Sequence, residues 1–113
     1  MTIRRVNVTY RPEALADLKR IHTDIAVLSQ SREVATRYVE RIMARCRKIG
    51  DAPRGGRSRD DLYPGLRTVP FERSAIIAYV VRETVEITNV FHSREDYEAL
   101  YLGGTPHSEA DEQ

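Results

Sequence analysis

The apolar positions at the start of the chain predict a strand followed by an amphipathic helix. Residues 3–10 alternate in character, with Val6, Val8 and Tyr10 on one face, which is typical of a half-buried strand. A helix is predicted to begin at Pro12, because proline lacks the backbone N–H that stays unpaired in a first helical turn. Apolar residues then recur at steps of three and four, at Leu15, Leu18, Ile21, Ile25 and Leu28, which is the stripe of a helix that buries one face.

A second helix is predicted after a short break. Ser31 is a favourable N-cap residue, and Gly50 followed by Pro53 marks the end of the helix. The residues predicted to be buried are Ala35, Tyr38, Ile42, Cys46 and Ile49. Two helices of about 18 residues with so short a connection predict an antiparallel helical hairpin.

Three strands are predicted after a charged loop at residues 54–65. They span residues 66–71, 74–81 and 85–91, and the middle one is almost continuously apolar and is therefore expected at the centre of the sheet. Pro70 cannot donate a backbone hydrogen bond, so the first of the three is expected at an edge or at a bulge. Short connections favour antiparallel pairing. The sequence predicts an α+β fold of order β-αα-βββ, with the helical hairpin packed on a small antiparallel sheet.

Length and composition limit the other possibilities. A chain of 113 residues fits one domain, predicted over residues 1–102, where residues 94–102 are expected to form a last helical turn or two. Residues 103–113 are acidic and are expected to be disordered. One cysteine excludes an internal disulfide, and no Cys/His spacing predicts a metal site or another cofactor. No apolar run approaches the roughly 18 residues of a membrane span, and no signal-peptide core is present, so a cytoplasmic protein is expected.

The net charge of +1 conceals an uneven distribution. All but two of the 18 basic residues are arginine, and without the three acidic residues of the tail the body carries a net charge of +4. Six basic residues lie between positions 45 and 59 against a single acidic one. Arginine's planar fork suits carboxylates and phosphates.

Five short motifs occur in a characteristic order. They are Ala14-x-x-Asp17-Leu18-x-x-Ile21; Ala35-x-x-Tyr38 leading to Pro53 and Gly56-Arg57-x-Arg59; Asp61-Leu62-x-x-Gly65-Leu66-Arg67; Ile77-Ala78-Tyr79; and Val85-x-Ile87-x-x-Val90-x-His92-x-Arg94-x-Asp96. Over residues 5–97 this arrangement resembles the ParE/RelE superfamily of toxins from type II toxin–antitoxin systems. The Gly-Arg-x-Arg segment and the His-x-Arg-x-Asp ending resemble the ParE branch more than the RelE branch.

The resemblance implies two alternative activities. ParE-like toxins inhibit DNA gyrase without catalytic chemistry of their own, whereas RelE-like toxins are ribosome-dependent mRNA endoribonucleases. In both branches a cognate antitoxin holds the toxin inactive in a hetero-oligomer, here expected to be ParD-like, and sequence-specific DNA binding belongs to the antitoxin. A third possibility is a degenerate member that binds its antitoxin only. Gyrase inhibition is the preferred hypothesis, with the RelE-like nuclease as its alternative.

The candidate site residues are mostly arginines. Those expected to bind antitoxin or target are Arg57, Arg59, Arg67 and Arg94. If the protein were a nuclease, the candidates would be Arg67, Arg73, His92 and Arg94, because cleavage needs cations for the phosphorane-like transition state and a group that transfers protons.

Two features weigh against the nuclease. The strand at 74–81 begins Ser74-Ala75-Ile76, where RelE-like nucleases carry basic residues, and a body charge of +4 is small for a protein that grips RNA phosphates. Structural roles are also open: Arg67 could pair with Asp61, and His92 could anchor a turn.

Overall fold

The structure is a computed structural model that describes residues 5–92 together with Leu100. Its elements, in chain order, are β1 (Val8–Tyr10), α1 (Pro12–Ser29), α2 (Arg32–Ile49), β2 (Arg57–Ser58), β3 (Arg67–Phe71), β4 (Ala75–Val81) and β5 (Val85–Phe91). The helical hairpin and the three strands after it agree with the sequence prediction. Except at Leu100, which is helical, the helical turn predicted at 94–102 lies outside the described residues, as does the predicted tail at 103–113.

The five strands form one sheet in the order β1-β5-β4-β3-β2. β4 is central, as predicted, and its pairings with β3 and β5 are antiparallel. β1 lies parallel to β5, with Val8 opposite Val85 and Tyr10 opposite Ile87. The fold class is confirmed, but the sheet is mixed rather than antiparallel throughout. The reason is the direction in which the strands run. The end of α2 lies beside the start of β1, where the Val6 N–H donates to the Gly50 carbonyl. β3 and β5 therefore run in the same direction as β1, and β5 pairs with β1 in parallel.

The short strand β2 was not predicted. Its two residues pair antiparallel with β3, Arg57 opposite Thr68 and Ser58 opposite Arg67. In the described part of the chain, β3 is covered on this side only at these two positions. The rest of β3, which contains Pro70, is therefore a sheet edge, consistent with the expectation for a residue that cannot donate to a ladder.

The helical hairpin packs on one face of the sheet and buries the main core. Its larger members include Leu18, Ile21, Ile42, Phe71, Ile77, Tyr79, Ile87 and Val90, each at most 5% exposed. Alternate residues of β4 point to the opposite face, where Ala78 and Val80 join Leu66 and Phe91 in a second cluster. β4 is thus buried on both faces, which explains its nearly continuous apolar sequence.

The helix ends follow local chemistry except at Gly50. The Ser31 hydroxyl accepts a hydrogen bond from the Val34 N–H at 3.1 Å, so the predicted N-cap is confirmed. Gly50 has φ of −62° and is not in the left-handed region typical of a glycine after a helix. The physical reason for a glycine here is proximity: a Cβ at Gly50 would collide with the Val6 carbonyl oxygen at the entry to β1.

Candidate functional site

The loop between α2 and β3 is attached to the sheet through the hydroxyl of Tyr79. This fully buried side chain of β4 donates a hydrogen bond to the Pro53 carbonyl at 2.7 Å and accepts one from the Gly56 N–H at 3.0 Å. Burial raises the pKa of Tyr79, so the hydroxyl stays protonated and remains a donor at neutral pH. A Cβ at Gly56 would collide with this hydroxyl and lie 3.0 Å from the Thr68 carbonyl oxygen. Glycine is therefore required at this position of the Gly-Arg-x-Arg motif.

Arg67 fastens the same loop from β3. Its Nη1 donates to the Gly56 carbonyl at 2.9 Å and to the Arg54 carbonyl at 3.1 Å. The suggested pairing of Arg67 with Asp61 is wrong, since Asp61 pairs with Arg59 instead. Arg67 lies directly opposite Tyr79 in the β3–β4 pairing, so both side chains are on the same face of the sheet and reach the same loop.

Arg57 and Arg59 differ in how far they are available to a partner. Arg57 lies on β2 with its side chain exposed, and within residues 5–92 no ion pair involves it. Arg59 makes two hydrogen bonds to the Asp61 carboxylate, at 2.8 and 3.0 Å, and its side chain is 22% exposed. This contact lowers the pKa of Asp61. The structure therefore brings both arginines to one loop and leaves Arg57 as the more accessible cation.

The nuclease candidates are not brought together. Arg67 begins β3, whereas Arg73 lies in the β3–β4 turn beyond Phe71; the length of β3 alone, at about 3.3 Å per residue, separates them by about 13 Å. His92 follows β5 and packs edge-on against the Tyr38 ring, with centroids 5.8 Å apart. Arg94 lies outside the described residues.

The β3–β4 turn is a feature that the sequence analysis missed. Glu72 and Arg73 have φ of 52° and 81°, both in the left-handed region. Arg41 of α2 makes two hydrogen bonds to the Glu72 carboxylate, at 2.9 and 3.2 Å, and its guanidinium lies 5.4 Å from the centre of the Tyr38 ring. Arg41, a half-exposed residue of α2, therefore holds a turn that lies 31 residues away in the sequence.

Asp17 was also missed as a structural residue. Its carboxylate accepts hydrogen bonds from the Val90 N–H at 2.9 Å and the Asn89 side-chain amide at 3.2 Å, and Arg20 lies 3.2 Å away. The contact occurs where the β4–β5 register shifts between Ala78 and Tyr79. The sequence signal for this role was the position of Asp17, an acidic residue beside the buried Leu18 of α1.

Within residues 5–92 and Leu100, no group of three His, Cys, Asp or Glu side chains is placed to hold a metal ion. None of the helices in this part of the chain combines the length and apolar character that crossing a bilayer requires.

A protein-family model, described as "ParE toxin of type II toxin-antitoxin system, parDE", matches residues 8–97 of the chain. The chain belongs to the ParE toxin family. The resemblance to the ParE branch is thereby confirmed. No curated protein matches this family member. Among solved structures, a chain titled "Chromosomal ParDE TA system from P. aeruginosa" is similar, with a TM-score of 0.70 and 22% sequence identity. The match covers 80% of this ParE family member and 99% of that chain, and it supports the fold.

Proposed function

We propose that this ParE family toxin acts in the cytoplasm by inhibiting DNA gyrase and is held inactive in a hetero-oligomer by a ParD-like antitoxin. The observation that carries the proposal is the match of the ParE toxin model to residues 8–97, which covers the whole helical hairpin and all five strands. Toxin activity is a property of this family, and the choice of gyrase and of a ParD-like partner rests on the ParE branch.

The Gly-Arg-x-Arg loop supports a binding role. Tyr79, Gly56 and Arg67 hold the loop in one position through four hydrogen bonds that reach backbone atoms. The backbone beside its cations is therefore held in place before a partner arrives, which lowers the entropic cost of association. Acidic side chains of an antitoxin would meet Arg57 first, and they would compete with Asp61 for Arg59. Arg94 remains a further proposed contact on sequence grounds.

The positions of the nuclease candidates support binding more than cleavage. Arg67 donates to two backbone carbonyls, so its guanidinium serves the loop. His92 packs against Tyr38 and lies at the opposite end of β3 from Arg67. A phosphoryl transition state requires cations and a proton-transfer group around one centre, and Arg67 and His92 do not share one.

The target can be tested by inducing the toxin without antitoxin and assaying gyrase and translation in parallel. We expect purified toxin to inhibit supercoiling by gyrase and to leave transcripts intact. Normal supercoiling together with cut transcripts would reject gyrase inhibition in favour of the RelE-like nuclease. Normal growth with retained antitoxin binding would instead indicate a degenerate member.

The antitoxin surface can be tested by reversing the charges of the loop. Arg57→Glu with Arg59→Glu should weaken the affinity for the cognate antitoxin at least tenfold, since each reversal replaces attraction by repulsion. The matched control is Lys19→Glu with Arg32→Glu, which makes the same charge change at exposed positions on the helical hairpin. Equal affinities for the two double variants would remove the loop from the antitoxin interface.

A further inference from the structure

The backbone of the turn between β3 and β4 is strained, because its two central residues have positive φ and neither is glycine or asparagine. The Ser74 N–H donates a hydrogen bond to the Phe71 carbonyl at 2.9 Å, which closes a β-turn over residues 71–74. A β-turn with positive φ at both central positions favours Asn-Gly, because those residues enter the left-handed region at low cost. This chain has Glu72 and Arg73 there, with φ of 52° and 81°. Strained backbone of this kind persists where surrounding contacts impose it, and it is concentrated at functional positions.

Contacts from α2 hold the turn in place. Arg41 makes two hydrogen bonds to the Glu72 carboxylate, and these lower the pKa of Glu72, so the carboxylate stays charged at neutral pH. Tyr38 lies under the Arg41 guanidinium and forms a hydrogen bond of 2.7 Å with the Ser74 hydroxyl. The Tyr38 ring also meets Phe71, the last residue of β3, with ring centres 5.6 Å apart. Both ends of the turn are thus tied to one helix.

Arg73 is the side chain of this turn that is accessible to a partner. It is exposed, and no ion pair within residues 5–92 involves it. Its acidic neighbour Glu72 is already paired with Arg41. The contacts from α2 therefore hold the backbone of the turn, and they place at the end of the sheet an exposed arginine that has no ion pair among the described residues.

We propose that the β3–β4 turn is a second antitoxin contact, at which Arg73 binds a carboxylate in an acidic segment of the antitoxin. The inference rests on the proposed function, because it requires an antitoxin partner. Arg57 of β2 lies opposite Thr68, near the start of β3, and Arg73 follows five residues later, about 17 Å away at about 3.3 Å per residue. About five residues of extended antitoxin chain span that distance, so one segment running beside β3 reaches both cations.

An acidic protein segment fits this turn better than nucleic acid. Phosphate backbones are bound by several cations together. Here the neighbouring Arg41 is paired with Glu72, and Arg73 is the one cation of this turn without an ion pair within residues 5–92. A carboxylate, by contrast, can be bound by one arginine through two parallel hydrogen bonds.

The test compares single alanine variants of the full-length toxin by displacement of labelled antitoxin, using the product of the reading frame paired with the toxin gene. Arg73→Ala should weaken antitoxin affinity about tenfold, as expected for loss of a charge-assisted hydrogen bond. The matched control is Arg82→Ala, an exposed arginine in the β4–β5 turn at the opposite end of the sheet, which should stay within about twofold of wild type.

A second variant separates binding from folding. Glu72→Asn with Arg73→Gly should raise the melting temperature, because the strain is relieved, and should weaken antitoxin binding as Arg73→Ala does. A lower melting temperature would contradict the strain argument. Wild-type affinity of Arg73→Ala, while the Arg57→Glu, Arg59→Glu variant loses binding, would overturn the second contact alone. Failure of the wild-type toxin to bind the antitoxin would overturn the proposed function itself.

Discussion

The contact between Gly56 and Tyr79 makes a quantitative prediction about stability. Replacing Gly56 by alanine would place a methyl group against the Tyr79 hydroxyl, 2.9 Å from Cε1 of the same ring and 3.0 Å from the Thr68 carbonyl oxygen. The ring is fully buried, and the carbonyl belongs to β3, so neither can move far. Overpacking of this kind costs about 1–3 kcal/mol, and displacement of the loop would also weaken the hydrogen bond from the Gly56 N–H. We expect a loss of about 3 kcal/mol in the free energy of unfolding.

Tyr79→Phe provides the second half of a double-mutant cycle. It removes the hydroxyl that joins the Pro53 carbonyl and the Gly56 N–H to the sheet, and the loss of two such bonds should cost about 2 kcal/mol. Phenylalanine also removes the atom that the new methyl group would strike. The double variant should therefore lose about 3–4 kcal/mol rather than the sum of about 5, a coupling of about 1–2 kcal/mol.

The assay is chemical denaturation of all four proteins, with the m-value checked for constancy. Gly55→Ala is the matched control, because a Cβ there would meet only the carbonyl and Cβ of Ala52, at 3.2 and 3.7 Å, in an exposed loop. It should cost less than about 1 kcal/mol. Additive effects of Gly56→Ala and Tyr79→Phe, or equal effects at Gly55 and Gly56, would refute the proposed attachment of the loop.

Three other predictions concern stability and reactivity. Asp17→Ala should lower the free energy of unfolding by about 2–3 kcal/mol, because the buried Val90 N–H loses its acceptor; Asp17→Asn, which keeps one oxygen, should lose clearly less in the same denaturation assay. Ser31→Ala should cost about 1 kcal/mol through loss of the α2 N-cap, and an unchanged thermal midpoint would contradict this. Burial raises the pKa of Cys46 to about 11, so about one thiol in a thousand is ionised at pH 8, and iodoacetamide should label it at an appreciable rate only after unfolding.

Most of the secondary structure could be predicted because its signals are local. Pro12 at the start of α1, the Ser31 cap and the apolar spacing of α2 act within a few residues, and all appear in the structure. The apolar stripe predicted for α1 was wrong at its two ends, because Leu15 and Leu28 are 51% and 78% exposed. β4 was predicted to be central because its sequence is apolar on both faces. The two residues of β2 carry no periodicity, so nothing local marked them as a strand.

The candidate site was predicted less completely. The sequence indicated that the Gly-Arg-x-Arg loop is basic, but it could not assign acceptors to the arginines. Asp61 was available to both Arg59 and Arg67, and only the direction of the Arg67 side chain toward the loop carbonyls decides between them. The strain at Glu72 and Arg73 was likewise invisible, because it depends on the contact with Arg41, which lies 31 residues away.

The sequence by itself therefore determined the family, the order of the longer elements, the buried face of α2 and the burial of β4, since motif order and apolar spacing are written along the chain. Tertiary structure alone decided the parallel pairing of β1 with β5, the attachment of the loop to Tyr79 and the acceptor role of Asp17. These depend on contacts between residues 23 to more than 70 positions apart. Such contacts form only when the hairpin and sheet close around a common core, where each buried donor must find an acceptor.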